Sequence, residues 1–122
     1  MKVKVLICDD EADLRRLFRL HLTGEHDIEL IGEACNGAEA IELTTQLGPD
    51  VLLLDIHMPV MDGFEALAEI SLSRPETKVI MLSGFDEDRC GNKAEELGAI
   101  DYIEKGMDLR AVAERIRTAA VV

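Results

Sequence analysis

The segment Val51-Leu52-Leu53-Leu54-Asp55 runs four apolar residues directly into a carboxylate, and the turn residues Pro59, Asp62 and Gly63 follow soon after it. A short apolar run bounded by turn residues is typical of a strand that is buried on both faces. A carboxylate at the end of such a strand is fixed by a rigid sheet but opens onto solvent. The segment therefore predicts a buried parallel strand with a reactive group at its end.

A second strand of this kind lies near the N-terminus, where the run from Val3 to Cys8 leads into Asp9 and Asp10. Both strands deliver acidic side chains at their carboxyl ends. Because the carboxyl ends of parallel strands meet at one edge of a sheet, the two segments together predict a single acidic pocket.

Five strand-like runs alternate with five helical patterns along the chain. The predicted strands are Lys2–Cys8, Ile28–Ala34, Val51–Asp55, Lys78–Leu82 and Ala99–Glu104. The predicted helices are Glu11–Leu22, a segment from Asn36-Gly37 to Leu47, a segment from about Asp62-Gly63 to before Pro75, a weaker segment Asp86–Leu97, and a segment capped by Asp108. Strict alternation with short links predicts an α/β fold, with a doubly wound parallel sheet and helices on both faces. We adopt the flavodoxin-like strand order 2-1-3-4-5 and treat residues 1–122 as a single domain.

The first and last helices have the clearest apolar faces. The predicted buried residues are Leu14, Leu17, Phe18 and Leu22 in the first helix, and Leu109, Val112, Ala113, Ile116 and Ala120 in the last. The fourth helix is predicted less strongly because Cys90, Gly91 and Asn92 are poor helix formers.

The composition excludes several classes of protein. The chain has 122 residues, 48% of them hydrophobic, and a net charge of −12, so a globular fold is expected and binding of nucleic acid or an anionic membrane is not. No apolar run approaches the roughly 18 residues that a membrane span needs, and no signal peptide is visible. Its three cysteines have no metal-binding spacing, which indicates reduced thiols in a cytoplasmic protein.

The predicted strand ends bring together the chemistry of phosphoryl transfer. Asp9, Asp10 and Asp55 would repel one another, since two carboxylates about 4 Å apart cost roughly 4 kcal/mol at an effective dielectric near 20. A proton or a cation must therefore join them, and carboxylate oxygens suit Mg²⁺. Lys105 after strand five and Ser83 after strand four could then meet phosphoryl oxygens. Asp55 is thus a candidate nucleophile that becomes an aspartyl phosphate.

These residues form an ordered set on successive strand ends: Asp9-Asp10, Asp55, Met58-Pro59, Asp62-Gly63, Ser83-Gly84 and Lys105. The set resembles the response regulator receiver domain of two-component signalling, and the resemblance covers nearly the whole chain. It implies a phosphorylation-dependent signalling switch, which catalyses its own phosphorylation and dephosphorylation without being a metabolic enzyme.

The resemblance implies a role for each pocket residue. Asp55 would accept the phosphoryl group from a phosphohistidine of a sensor histidine kinase or a histidine phosphotransfer protein. Asp10 would bind Mg²⁺ directly, Asp9 largely through water, and His57 through its backbone carbonyl. Mn²⁺ is an alternative to Mg²⁺ at such a site.

The resemblance also implies how the signal leaves the pocket. Ser83 and Lys105 would follow the phosphoryl group, and Tyr102 matches the aromatic switch position of the family. The face formed by helix 4, strand 5 and helix 5 would then bind an output domain or a partner protein, or form a weak homodimer.

Two positions at the pocket depart from the common receiver pattern, and a third residue is expected to cover its mouth. His57 stands where Asn is frequent, and Gly106 stands where many receivers have Pro after a cis peptide bond. Phe85, two residues after Ser83, is expected to lie over the pocket mouth and, with His57, to shield an acyl phosphate from water.

Three other functions compete with the switch. A haloacid-dehalogenase-like phosphatase also uses a strand-end Asp, but it needs an acid at the position of His57 and a cap insertion. A flavodoxin-like cofactor binder needs a phosphate loop after strand one, where Asp9-Asp10-Glu11 would repel phosphate. A pseudo-receiver, which binds partners without phosphorylation, has the same fold and remains an alternative.

Overall fold

The computed structural model describes residues 2–84 and 91–122, which form five strands and five helices in alternation. The strands are β1 (Val3–Cys8), β2 (Ile28–Ala34), β3 (Val51–Asp55), β4 (Lys78–Ser83) and β5 (Asp101–Glu104). The helices are α1 (Ala12–Thr23), α2 (Gly37–Leu47), α3 (Gly63–Ser73), α4 (Gly91–Leu97) and α5 (Leu109–Ala120). The predicted elements are therefore present, with the part of the fourth helix that precedes Gly91 lying outside the described residues.

The strands form one parallel sheet in the order β2-β1-β3-β4-β5, as predicted. All five residues of β3 are buried, because this strand is central and helices cover both of its faces. Val51 and Leu53 point to one face and Leu52 and Leu54 to the other, which follows from the two-residue period of a strand. The uninterrupted apolar run of β3 is thus explained by its central position in the sheet.

The helices bury two separate cores against the sheet. Helices α1 and α5 cover one face, where Phe18 and Ile116 are among the buried residues. Helices α2, α3 and α4 cover the other, where Ala40, Leu67 and Ala94 are buried. This arrangement is the predicted doubly wound fold. None of the helices within the described ranges is long and apolar enough to cross a membrane.

Polar side chains fix where several helices begin. Asn36 and Asp62 accept hydrogen bonds from the backbone N–H groups of Glu39 and Glu65, both at 2.9 Å. Asp108, the predicted cap of α5, accepts one from the N–H of Arg110 at 3.0 Å. Such bonds satisfy N–H groups that have no partner inside the helix. The helices that follow β2, β3 and β5 therefore have defined first turns.

One predicted core position in α1 is wrong. Leu17 was expected on the buried face of α1, but half of its surface is exposed. Phe18 and Leu22 are four residues apart and form a narrow stripe, and Leu17 lies on its flank. In α5 the predicted stripe is confirmed: Val112, Ala113 and Ile116 are buried, and Leu109 and Ala120 are partly buried against the same core.

Strand β5 begins later than predicted. The predicted strand started at Ala99, but the Ala99 N–H donates to the Ala94 carbonyl at 2.9 Å and so completes the end of α4. Gly98 has a φ of +114°, a conformation that L residues with side chains rarely adopt. The chain therefore turns between Leu97 and Ala99, and pairing with β4 is regular only from Asp101.

Candidate functional site

The sheet places Asp9 and Asp55 side by side, because β1 and β3 are neighbours and Cys8 pairs with Leu54. Asp9 and Asp55 are almost completely buried, and Asp10 is exposed. One carboxylate oxygen from each of the three residues lies within 4.8 Å of the others. The structure thus gathers the three predicted acidic residues into one cluster at the carboxyl edge of the sheet.

Lys105 balances part of this charge. Its Nζ lies 2.9 Å from Asp9 Oδ2 and 3.2 Å from Asp55 Oδ2. The Lys105 backbone N–H donates to the Ser83 carbonyl at 2.8 Å, which attaches the loop after β5 to the end of β4. The Lys105–Gly106 peptide bond is trans. A residue that follows the edge strand therefore reaches the centre of the pocket.

Burial changes the acidity of the two inner carboxyl groups. Loss of solvent, followed by the nearby charge of Asp9, raises the pKa of Asp55 to about 6 against the opposing pull of Lys105. The pKa of Asp9 is also raised, chiefly by burial. Burial opposes the charge of Lys105, but its hydrogen bonds to Glu11 and Asp9 raise its pKa above the usual value. The cluster is therefore short of positive charge even with Lys105 in place.

Backbone contacts fix the Asp55 end of the pocket. The His57 N–H lies 3.4 Å from Asp55 Oδ1, and the Gly63 N–H donates to the Ile56 carbonyl at 2.8 Å. A Cβ atom at position 63 would lie 2.1 Å from the Asp55 carbonyl oxygen, so only glycine fits there. The predicted Asp-Gly signal after β3 thus reflects a close approach of α3 to the strand that carries Asp55.

The other predicted site residues that the structure describes lie on β4, on β5 and in the loop that follows β3. Ser83 ends β4 and is buried, one position beyond Leu82, the partner of Asp55 in the strand register. The His57 side chain is exposed. Tyr102 pairs with Met81 in the sheet register and packs on the α2–α4 side. Phe85 lies outside the described residues, so its place at the pocket mouth stays a prediction.

Two further residues contact the pocket, although neither was among the predicted site residues. Glu11 Oε1 lies 2.9 Å from Lys105 Nζ, and the Arg15 guanidinium donates to the Asp9 carbonyl at 2.6 Å. Glu11 and Lys105 are 94 residues apart in the sequence, and no local pattern links them. The acidic run Asp9-Asp10-Glu11 was the only available sign that Glu11 belongs to the pocket.

The pocket residues fit a divalent cation. Three carboxylates converge, and Lys105 neutralises only part of their charge. Hard oxygen donors of this kind suit Mg²⁺, which uses a few carboxylates and keeps several waters. An all-parallel sheet with an acidic cluster, a lysine and a serine at its carboxyl edge defines a receiver-type signalling domain.

The sequence matches the response regulator receiver domain family over residues 5–117, and the chain belongs to that family. It is therefore a receiver domain of two-component signalling. Receiver domains bind Mg²⁺ at an acidic pocket and interact with kinases, phosphotransfer proteins and output domains.

The chain is 41% identical over 122 residues to protein-glutamate methylesterase/protein-glutamine glutaminase 2 of Carboxydothermus hydrogenoformans, covering 94% of this chain and 34% of that protein. It is 38% identical over 117 residues to the response regulator VraR of Staphylococcus aureus, covering 96% of this chain and 56% of VraR. The chain thus spans less than two thirds of the length of these curated relatives.

Solved structures of similar fold include the response regulator domain of Thermotoga maritima CheB, with a TM-score of 0.92, 32% identity and coverage of 100% of this chain and 98% of that one. The CheX–CheY–BeF3–Mg²⁺ complex of Borrelia burgdorferi contains a chain with a TM-score of 0.88 and 29% identity, covering 94% of this chain and 87% of that one. These structures agree with the flavodoxin-like order of the sheet.

Proposed function

We propose that residues 1–122 form one receiver domain in which Asp55 accepts a phosphoryl group from a phosphohistidine, in a Mg²⁺-dependent reaction. The phosphohistidine would belong to a sensor histidine kinase or a histidine phosphotransfer protein. The observation that carries the proposal is the position of Asp55: it is buried at the end of the central strand, beside Asp9 and Lys105. A buried carboxylate with too few counter-charges is stabilised by a divalent cation, and the same cation would offset the charge of an incoming phosphoryl group.

The cation would be held by the carboxylates of Asp9, Asp10 and Asp55 and by the backbone carbonyl of His57, with Mn²⁺ as an alternative to Mg²⁺. When bound, the ion neutralises the carboxylates and draws charge from the phosphoryl oxygens. The Asp residues fit this role because their oxygens already lie within 4.8 Å of one another.

In the transfer, an Asp55 carboxylate oxygen attacks the phosphorus atom of the phosphohistidine. The new O–P bond forms as the P–N bond breaks, and the electron pair of that bond stays on the imidazole nitrogen, which takes a proton from water. Phosphoryl transfer depends mostly on positioning and charge neutralisation. Lys105 supplies a fixed positive charge beside Asp55, and the His57 N–H orients the carboxylate.

Phosphorylation would reach the output through Ser83 and Tyr102. Ser83 lies at the end of β4 next to the acceptor strand, and its hydroxyl would bind a phosphoryl oxygen. Tyr102 lies on β5, at the face that α4, β5 and α5 share. This face would bind an output domain or a partner protein, or form a weak homodimer. The net charge of −12 supports the view that the domain itself does not bind nucleic acid.

The test is the intact mass of the protein after incubation with acetyl phosphate and Mg²⁺. We expect one phosphoryl adduct on the wild type, none on the Asp55→Asn variant and none in EDTA. Asp13→Asn is the matched control, because Asp13 is an exposed carboxylate on the first turn of α1, and this variant should still be modified.

Absence of the adduct on folded wild-type protein, together with no binding of beryllofluoride, would contradict the proposal and favour the pseudo-receiver. The family match already argues against a dehalogenase-like phosphatase and a flavodoxin-like cofactor binder.

A further inference from the structure

Glu11 occupies the N-cap position of α1, but its side chain does not cap that helix. A side chain at this position usually accepts a hydrogen bond from an N–H group of the first helical turn. Instead, the Glu11 backbone N–H donates to Asp9 Oδ1 at 2.8 Å, and the Glu11 carboxylate contacts Lys105. The side chain therefore serves the pocket and not its own helix.

Among the residues that the structure describes, the Lys105 ammonium meets three carboxylates, as many as it has N–H donors. The distances from Nζ are 2.9 Å to Asp9, 2.9 Å to Glu11 and 3.2 Å to Asp55. Asp9 and Asp55 have side-chain exposures of 0% and 2%, whereas that of Glu11 is 62%. Of these three partners, Glu11 is the one that can turn into solvent without leaving a buried charge behind.

A phosphoryl group on Asp55 would bring new anionic oxygens to the side of the pocket where Lys105 lies. The contact of Lys105 with Asp55 weakens when that carboxylate becomes an acyl phosphate, and an ammonium that moves to the new phosphoryl oxygens draws away from its other two carboxylate partners. Asp9 is buried and is held by the Glu11 N–H, so its carboxylate cannot withdraw. The Glu11 carboxylate can withdraw, because water can replace Lys105 around it.

We propose that Glu11 is a positioning residue, which holds Lys105 in the unphosphorylated protein and competes with the phosphoryl group for its ammonium. This inference rests on the proposed function, because it assumes that Asp55 takes the phosphoryl group. Glu11 then sets how readily the pocket accepts an anion, without touching phosphorus itself.

The competition predicts that Glu11→Gln binds a phosphoryl mimic more tightly than the wild type. At saturating Mg²⁺, titration with beryllofluoride should give a dissociation constant about two- to fivefold lower, as expected for loss of one exposed ion pair. Asp13→Asn removes the same charge from the same helix without contacting Lys105, so its dissociation constant should stay close to that of the wild type.

The NMR signals of the Lys105 side chain provide a second test. They should change only if Glu11 acts on Lys105, and not if Glu11 merely supports the fold. In the free protein, Glu11→Gln should shift the signals of the Lys105 ε-methylene group. In the beryllofluoride-bound state, the signals of wild type and variant should coincide, because Glu11 has already been displaced.

Equal dissociation constants for Glu11→Gln and Asp13→Asn would overturn the inference, because the effect would then be one of general charge. Weaker binding by Glu11→Gln would also overturn it, since Glu11 would then assist the anion. If the wild type binds neither beryllofluoride nor a phosphoryl group, the proposed function fails and this inference fails with it. If the wild type is phosphorylated but the variants do not differ, only the inference fails.

Discussion

Within residues 2–84 and 91–122, Lys105 and Arg117 each contact three carboxylates, yet their surroundings differ. The Lys105 cluster lies at the carboxyl edge of the sheet and consists of Lys105, Asp9, Glu11 and Asp55. The Arg117 cluster joins α5 to the α1–β2 loop and consists of Arg117, Glu25, Asp27 and Glu114. Two carboxylates of the first cluster are almost fully buried, whereas all three of the second are at least a quarter exposed.

The acidity of the two clusters changes in opposite directions. The hydrogen bonds of Arg117 lower the pKa of Asp27 to about 2, whereas burial raises the pKa of Asp55 to about 6. An ion pair at the surface keeps its water, so attraction is the larger effect there. In the pocket, lost solvation and repulsion between Asp9 and Asp55 exceed the attraction of Lys105. Arg117 is therefore sufficient to keep Asp27 ionised, whereas Lys105 alone does not offset the charge of the pocket, and a further cation would stabilise it.

The largest expected effect is on stability. The same change, Asp to Asn, should alter the free energy of unfolding in opposite directions at Asp55 and at Asp27. In EDTA at pH 7, Asp55→Asn should raise the free energy of unfolding by about 1–3 kcal/mol, because it removes a buried charge whose pKa is elevated. Asp27→Asn should lower it by a smaller amount, because it weakens the contacts to Arg117 at 2.7 and 2.9 Å. Urea unfolding of both variants measures the two effects. A loss of stability in both would show that Lys105 fully compensates the pocket.

The second effect concerns the metal. Mg²⁺ at ten times its dissociation constant should raise the free energy of unfolding of the wild type by about 1.4 kcal/mol, because it binds only the folded protein. Asp27→Asn should retain this gain and Asp9→Asn should lose most of it. Thermal or urea unfolding with and without Mg²⁺ is the measurement. A gain that survives in Asp9→Asn would locate the ion outside the three-carboxylate cluster.

The smallest effect is on how stability depends on pH. Lowering the pH should change the contribution of Asp55 and that of Asp27 to the free energy of unfolding in opposite directions. The folded pKa of Asp55 lies above its unfolded value of about 3.9, so the folded state binds more protons between pH 4 and pH 6. Lowering the pH from 7 to 5 in EDTA should therefore raise the unfolding free energy by about 1 kcal/mol relative to Asp55→Asn.

Asp27 should behave in the opposite way. Its folded pKa is depressed, so its stabilisation is present above about pH 4 and is lost as the pH falls towards 2. Comparing the free energies of unfolding of wild type and Asp27→Asn between pH 5 and pH 2 isolates the contribution of Asp27. Parallel pH profiles for the two proteins would contradict the assignment.

The sheet could be predicted well from the sequence, because strands and their ends leave patterns in consecutive residues. The apolar run of β3 specifies a strand buried on both faces, and the polar residues after each strand specify the edge where a site forms. The strand order was adopted from proteins with the same alternation, since periodicity alone does not say that β1 lies beside β3. The structure brings Asp9, Asp10, Asp55 and Lys105 together at that edge.

The remaining features depend on distances that the sequence does not encode. Leu17 fits a helical period but lies beside the stripe that packs on the sheet, and only the placement of α1 decides this. The contact between Glu11 and Lys105 spans nearly the whole chain and needs the complete sheet. The Arg117 cluster likewise joins residues that are about 90 positions apart.

The strand order has a consequence for how the domain is made. Asp9 and Asp55 follow the neighbouring strands β1 and β3 in the first half of the chain, whereas Lys105 follows β5, fifty residues after Asp55. The two acidic strand ends are therefore synthesised well before the lysine that balances them, and the complete pocket forms only when the last strand has been made.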